Sequence, residues 1–162
     1  MDNLFTITSI FGRAEVIVII LLFMILKKRF LEFRLLLLSS VITAIIVVTL
    51  KIVMAAPRPA SMLDNVHLLQ PYYRMSFPSG DSAVASIVLV FFFNRSNLPF
   101  RILLVVYWII ICYGRIYMGV HFPLDVLAGF LISLISMHVA KSVLGSHMLK
   151  TLKNIFSKQN VS

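Results

Sequence analysis

The most restrictive feature of this chain is the apolar run at 35–56, whose only charged residue is Lys51, roughly one turn from its end. A helix rising about 1.5 Å per residue needs roughly 20 apolar residues to cross about 30 Å of hydrocarbon, so this run reads as a membrane span. Four more apolar segments, 14–26, 81–93, 98–113 and 122–140, are shorter and suffice where the bilayer thins. Isolated strands leave backbone groups unpaired in lipid, and no alternating pattern or hairpin turn occurs, so the β-branched residues in these runs belong to helices. The expected fold is therefore an all-α polytopic membrane bundle of five spans. Ahead of the first span, Arg13 and Glu15 interrupt an apolar stretch that begins at Leu4, which leaves room for a sixth short N-terminal helix lying in the interface.

Composition agrees with a lipid-facing surface. The chain is 60% hydrophobic and 13% charged, with a mean hydropathy of +0.98. Soluble domains are about half apolar and about a quarter charged, and disordered chains are poorer still in apolar residues. With no Lys or Arg among residues 1–12 and no small-residue cleavage site close behind, a removable signal peptide is not expected. The single cysteine, Cys112, lies in an apolar run and reads as a small packing residue.

The charge balance is 15 Lys and Arg against 6 Asp and Glu. Ten of those 15 fall at 27–34, at Arg95 and Arg101, and in the tail at Lys141, Lys150, Lys153 and Lys158. In a five-span topology all ten share one face, which the positive-inside rule assigns to the cytoplasm. The domain reading is a membrane-embedded unit at 1–140 followed by a basic cytoplasmic tail at 141–162. Dispersed over helix ends, these charges form no continuous stripe for nucleic acid. Lys51, Arg58, Arg74 and Arg115 fall at or beside the opposite face, against the topological bias, and Arg13 is unassigned.

Three clusters of polar residues meet that opposite face. Lys51 and Arg58-Pro59 place two cations at the end of a span, where an embedded charge is costly and marks a candidate site. Pro78-Ser79-Gly80-Asp81 opens an apolar helix, whose free N–H groups and dipole favour an anion and whose glycine allows close approach. Arg115 offers a fork of donors suited to phosphate. His121, four residues before Asp125, can be oriented by that carboxylate if the intervening turn is helical. Singly, each cluster also fits a plainer role: a snorkelling lysine with a topological arginine, a helix cap, a helix-start pair. His138 and His147 read as structural or solvated, and His67 lies in the outer loop. There is one cysteine, no His-Glu-x-x-His pattern and few acids, so no metal or other cofactor is expected.

Together, Lys51-x6-Arg58-Pro59, Pro78-Ser79-Gly80 and Arg115-x5-His121-x3-Asp125 resemble the signature of the type 2 phosphatidic acid phosphatase superfamily, which includes the lipid phosphate phosphatases. The resemblance covers residues 51–125. It implies a metal-independent hydrolase in which His121 forms a phosphohistidine and Asp125 orients it. Lys51, Arg58, Ser79, Gly80 and Arg115 would hold the phosphoryl oxygens.

Two departures stand out: Asp81 occupies the position of the family's general-acid histidine, and Gly114 precedes Arg115 where serine is usual. Either Asp81 carries the acid role, or the substrate has a good leaving group, as in a diphosphate or an anomeric sugar phosphate. The expected setting is a bacterial inner membrane, with the site on the periplasmic face and a phosphorylated membrane lipid as partner. Lipid A 1-phosphate is the first expected substrate, with undecaprenyl diphosphate and phosphatidylglycerol phosphate as alternatives. The competing class is a noncatalytic lipid-phosphate binder or transporter, and no obligate protein partner is evident.

Overall fold

The computed structural model describes residues 9–63 and 75–159. Those residues form five helices: α1 (Ala14–Leu26), α2 (Phe30–Met54), α3 (Gly80–Phe93), α4 (Leu98–Tyr117) and α5 (Pro123–Gln159). A 3-10 turn at Ser9–Gly12 precedes them, and a single helical turn at Pro59–Met62 follows α2. No strand occurs among the described residues.

Three of the helices, α2, α4 and α5, are long and apolar enough to cross a membrane, while α1 and α3 are shorter apolar helices. With 14 residues, α3 rises only about 21 Å, less than the hydrocarbon thickness. Its neighbours shield it instead: α3 packs against α5, α4, α2 and α1, and Ala83, Ala85, Ile87 and Phe91 on it are almost fully buried. The surrounding helices turn Ile52, Val53, Ile102, Leu103, Leu127 and Ile135 outward, an apolar exterior suited to hydrocarbon. Inside, Met24, Leu36, Ile87, Phe91 and Met137 pack the core between α1, α2, α3 and α5.

Small residues bring α3 and α5 together, the usual means of helix packing where lipid offers no hydrophobic drive. A methyl group at Gly129 would stand 2.7 Å from the Ser79 carbonyl oxygen and 3.1 Å from the Ala83 amide nitrogen. Across the same seam the Ser82 hydroxyl donates to the Val126 carbonyl at 2.8 Å, and the Ser133 hydroxyl to the Ala83 carbonyl at 2.8 Å. Cys112 is buried, its thiol 3.6 Å from the Ser82 hydroxyl.

Helix boundaries depart from the sequence reading where charged residues find partners. α2 begins at Phe30 rather than at 35, since Glu32 in its first turn pairs with Arg29. α4 was expected to end at 113 and continues to Tyr117, because Arg115 in its last turn is buried against Asp81 instead of lying in a connection. α5 runs unbroken past Ala140, so its helix is continuous across the expected start of the tail. At the N-terminus, Ser9–Gly12 form a 3-10 turn, and most of the stretch from Leu4 that could hold a sixth helix lies outside the described residues.

Gly129→Ala is expected to destabilise the protein by about 1–3 kcal/mol, since the atoms in the way are backbone. In detergent this should lower the melting midpoint by about 5 °C. Gly145→Ala, at a position with nothing within 4 Å, should leave it unchanged.

Candidate active site

The three sequence clusters converge at one end of the bundle, where α2 and α4 end and α3 and α5 begin. Between them lies the segment at 75–79, hydrogen-bonded to its neighbours on both sides. The Met75 and Ser76 amides donate to the Ala56 carbonyl, at 3.2 and 2.8 Å. On the other side, the Ser79 amide donates to the Asp125 carbonyl at 3.0 Å. The ends of α2 and α5 are thereby fixed relative to the start of α3.

Lys51, in the last turn of α2, donates from Nζ to the Met75 carbonyl at 2.9 Å. Arg58 lies just beyond that helix, and its Nη1 donates to the Val120 carbonyl at 3.3 Å, beside His121. From the far side, Arg115 at the end of α4 forms an ion pair with Asp81 in the first turn of α3. Arg115 is buried, whereas the Asp81 side chain keeps 28% of its exposure.

His121 and Asp125 are almost fully buried. Pro123 occupies the first turn of α5, where its missing N–H costs nothing. Asp125, three residues after Phe122, reaches back so that Oδ2 accepts the Phe122 amide at 2.9 Å, the reciprocal half of a capping box. The Ser76 hydroxyl donates to the same oxygen. His121 Nδ1 stands 3.5 Å from it, beyond the usual hydrogen-bond range and in the loose regime from which catalytic pairs tighten when substrate binds.

Burial holds the His121 imidazole below the ordinary histidine value, and Arg58 and Lys51 push it the same way, while Asp125 opposes them. A neutral ring at neutral pH follows. With Nδ1 turned toward the carboxylate, the proton belongs on Nδ1 and the lone pair on Nε2.

Lys51, Arg58, Asp81, Arg115, His121 and Asp125 are therefore brought into one site. Ser79 caps α3: its hydroxyl is fully buried and accepts the Ser82 amide at 3.4 Å. Gly80 has room for a side chain, since a methyl there would meet only Val47, at 3.9 Å, so packing does not explain the glycine. His138 is exposed on α5, and His67 and Arg74 lie outside the described residues. Ser76 was missed by sequence reasoning. A serine two residues before a proline carries no signal until its hydroxyl is seen on Asp125.

An NMR titration of ring-labelled His121 should give a midpoint below the ordinary value of about 6.5. Asp125→Asn removes the group that favours the charged ring, so it should lower the midpoint further.

Residues 32–148 match the family model of the PAP2 superfamily. The crystal structure of Aquifex aeolicus LpxE is similar at 35% identity and a TM-score of 0.81, over 87% of this chain and 85% of that one. The crystal structure of the first transmembrane PAP2 type phosphatidylglycerolphosphate phosphatase from Bacillus subtilis is similar at 25% identity and a TM-score of 0.70, over 90% of this chain and 77% of that one. Among curated proteins, an undecaprenyl-diphosphatase of Sulfolobus acidocaldarius is 36% identical over 98 residues, 60% of this chain. The chain spans about half the length of that curated relative, 48%. With a family match across most of the chain and a solved relative that shares its fold nearly end to end, the chain belongs to the PAP2 superfamily.

Proposed function

We propose that the chain is an integral-membrane lipid phosphatase that removes a phosphate through a phosphohistidine at His121. The observation that carries this reading is the buried imidazole with Nδ1 toward a carboxylate that Ser76 and the Phe122 amide hold in place, with Lys51 and Arg58 acting on the ring and Arg115 nearby on Asp81. Nε2 attacks phosphorus, the leaving oxygen departs in line, and a water then hydrolyses the phosphorus–nitrogen bond. The protein's work is positioning and charge stabilisation of the equatorial oxygens, a task for Lys51, Arg58, Arg115 and the backbone N–H of Gly80 at the start of α3. As the imidazolium forms, Asp125 stabilises it.

The Asp81–Arg115 pair bears on the substrate. A carboxylate engaged with a guanidinium is an acceptor, and it must leave that pair before it can donate a proton. A leaving group that needs little protonation suits such a site better than a simple glycerol alkoxide. We therefore favour an anomeric sugar phosphate or a lipid diphosphate, with lipid A 1-phosphate and undecaprenyl diphosphate as the two substrates to test first and phosphatidylglycerol phosphate as the slower one. The shortness of α3 supports a site near the plane of lipid phosphates. The basic residues at the other end of the bundle support an orientation with that end and the tail at 141–162 cytoplasmic, and with the site on the outer, periplasmic face of a bacterial inner membrane.

Purified protein in detergent should release phosphate from at least one lipid of this panel, with inhibition by vanadate. His121→Ala should reduce release at least about a thousandfold, as loss of a nucleophile does. Equal release by the variant would remove His121 as the nucleophile, and binding without release by both proteins would point to a noncatalytic lipid-phosphate binder or transporter. Ser76→Ala, which frees Asp125 from one charge-assisted hydrogen bond, should lower kcat by roughly tenfold with little change in KM.

A further inference from the structure

Arg13 lies outside the residues matched to the family, 32–148, and outside all three motif clusters, yet the fold carries it to the site. The turn Ser9–Gly12 packs against α3 and α4. A methyl group on Gly12 would stand 2.9 Å from Ile111 Cγ2 and 3.1 Å from Asp81 Cβ, so the backbone just before Arg13 lies directly against Asp81. The Tyr107 hydroxyl secures the turn by donating to the Phe11 carbonyl at 2.7 Å. Arg13 follows in extended conformation as the residue preceding α1, with its side chain exposed.

Two further observations give this position a direction. Arg58 and Lys51 act on His121, and they also act on Arg115 and Asp81 respectively, whereas Arg13 acts on Asp81 and Arg115. Arg13 therefore approaches the site from the Asp81 side, where the backbone of Gly12 lies. In addition, an apolar groove of about 430 Å³ between α1, α2 and α3 is lined by Ala14, Val18, Val47 and Val84 and reaches Gly80 and Asp81. Ala14, the neighbour of Arg13, is one of its lining residues. A lipid whose chain lies in that groove brings its headgroup past Arg13 on the way to His121.

We propose that Arg13 is a specificity-determining residue that binds a second phosphate joined to the one under attack, so that the site is built for a lipid diphosphate. A single phosphoryl group facing His121 already has Lys51, Arg58 and Arg115 around it. A second phosphoryl group needs a cation further along, at the Asp81 end, where a carboxylate would otherwise repel it. Arg13 supplies that cation from an exposed rim and offers a fork of donors suited to phosphate. The chemistry remains the displacement at His121: the phosphorus–nitrogen bond forms, the bridging phosphorus–oxygen bond breaks, and the lipid monophosphate leaves with the electron pair, its new charge facing Arg13.

This inference rests on the phosphatase reading for its biological meaning, but its test is made by binding, independently of turnover. Calorimetry on the detergent-purified protein would compare methylenediphosphonate, which cannot be hydrolysed, with inorganic phosphate. The unaltered protein should prefer the diphosphonate. In Arg13→Gln that preference should fall about tenfold, the loss of one charge-assisted contact, while Arg13→Lys should retain most of it. Equal diphosphonate affinity in Arg13→Gln and the unaltered protein would overturn the proposal, as would a preference lost as fully with lysine as with glutamine. Failure of the phosphatase reading would instead appear in the lipid release assay, with these affinities unaffected.

Discussion

The site depends on one oxygen atom. Asp125 Oδ2 accepts the Phe122 amide and the Ser76 hydroxyl and faces His121 Nδ1 at 3.5 Å. The first of these contacts starts α5, the second ties that start to the segment before α3, and the third turns Nδ1 of the histidine toward the carboxylate. A buried carboxylate without such partners is costly. Here the groups that offset the cost are also the groups that must be held in register, so satisfying the charge and building the site are the same structural event.

That economy explains why the fold can place so much charge within a membrane protein. Arg115 is buried but paired with Asp81. Lys51 and Arg58 reach backbone carbonyls of the two connections, at Met75 and Val120. Intramembrane charges persist where they face a bundle interior and find polar partners, and each of these finds one across a different helix pair. The same contacts draw the ends of α2, α3, α4 and α5 together, so the polar cluster acts as a clasp on helices that the small-residue seam at Gly129 and Ser133 packs below.

Much of this was legible in the residues because two strong signals act over short range. Apolar runs located all five helices, and α1 was placed at 14–26 with the ends the structure gives it. Motif spacing marked six residues that the fold brings together at one end of the bundle: Lys51, Arg58, Asp81, Arg115, His121 and Asp125. What the sequence hid was long-range. Arg115 looked like a loop residue until its ion pair with Asp81 drew it into the last turn of α4. Ser76 and Asp125 stand 49 positions apart, and their contact exists only because α3 and α5 lie side by side. Ser79 looked like a phosphate ligand, yet its hydroxyl is turned to the helix start, where a buried serine serves as a cap.

Asp81 shows how one substitution can shift the demands on the rest of a site. A histidine there can carry a proton to a leaving oxygen and add no negative charge, whereas an aspartate brings a negative charge that must be balanced. Arg115 balances it in the structure. When a phosphate competes for Arg115, the carboxylate loses that partner as another anion arrives, and two like charges in a partly desolvated site repel strongly. A further cation at that end relieves the repulsion, and the exposed Arg13, which follows the turn packed against Asp81, adds to Lys51 there. Asp81 and Arg13 are therefore best understood together, as a change of residue inside the motif and a compensating charge outside it.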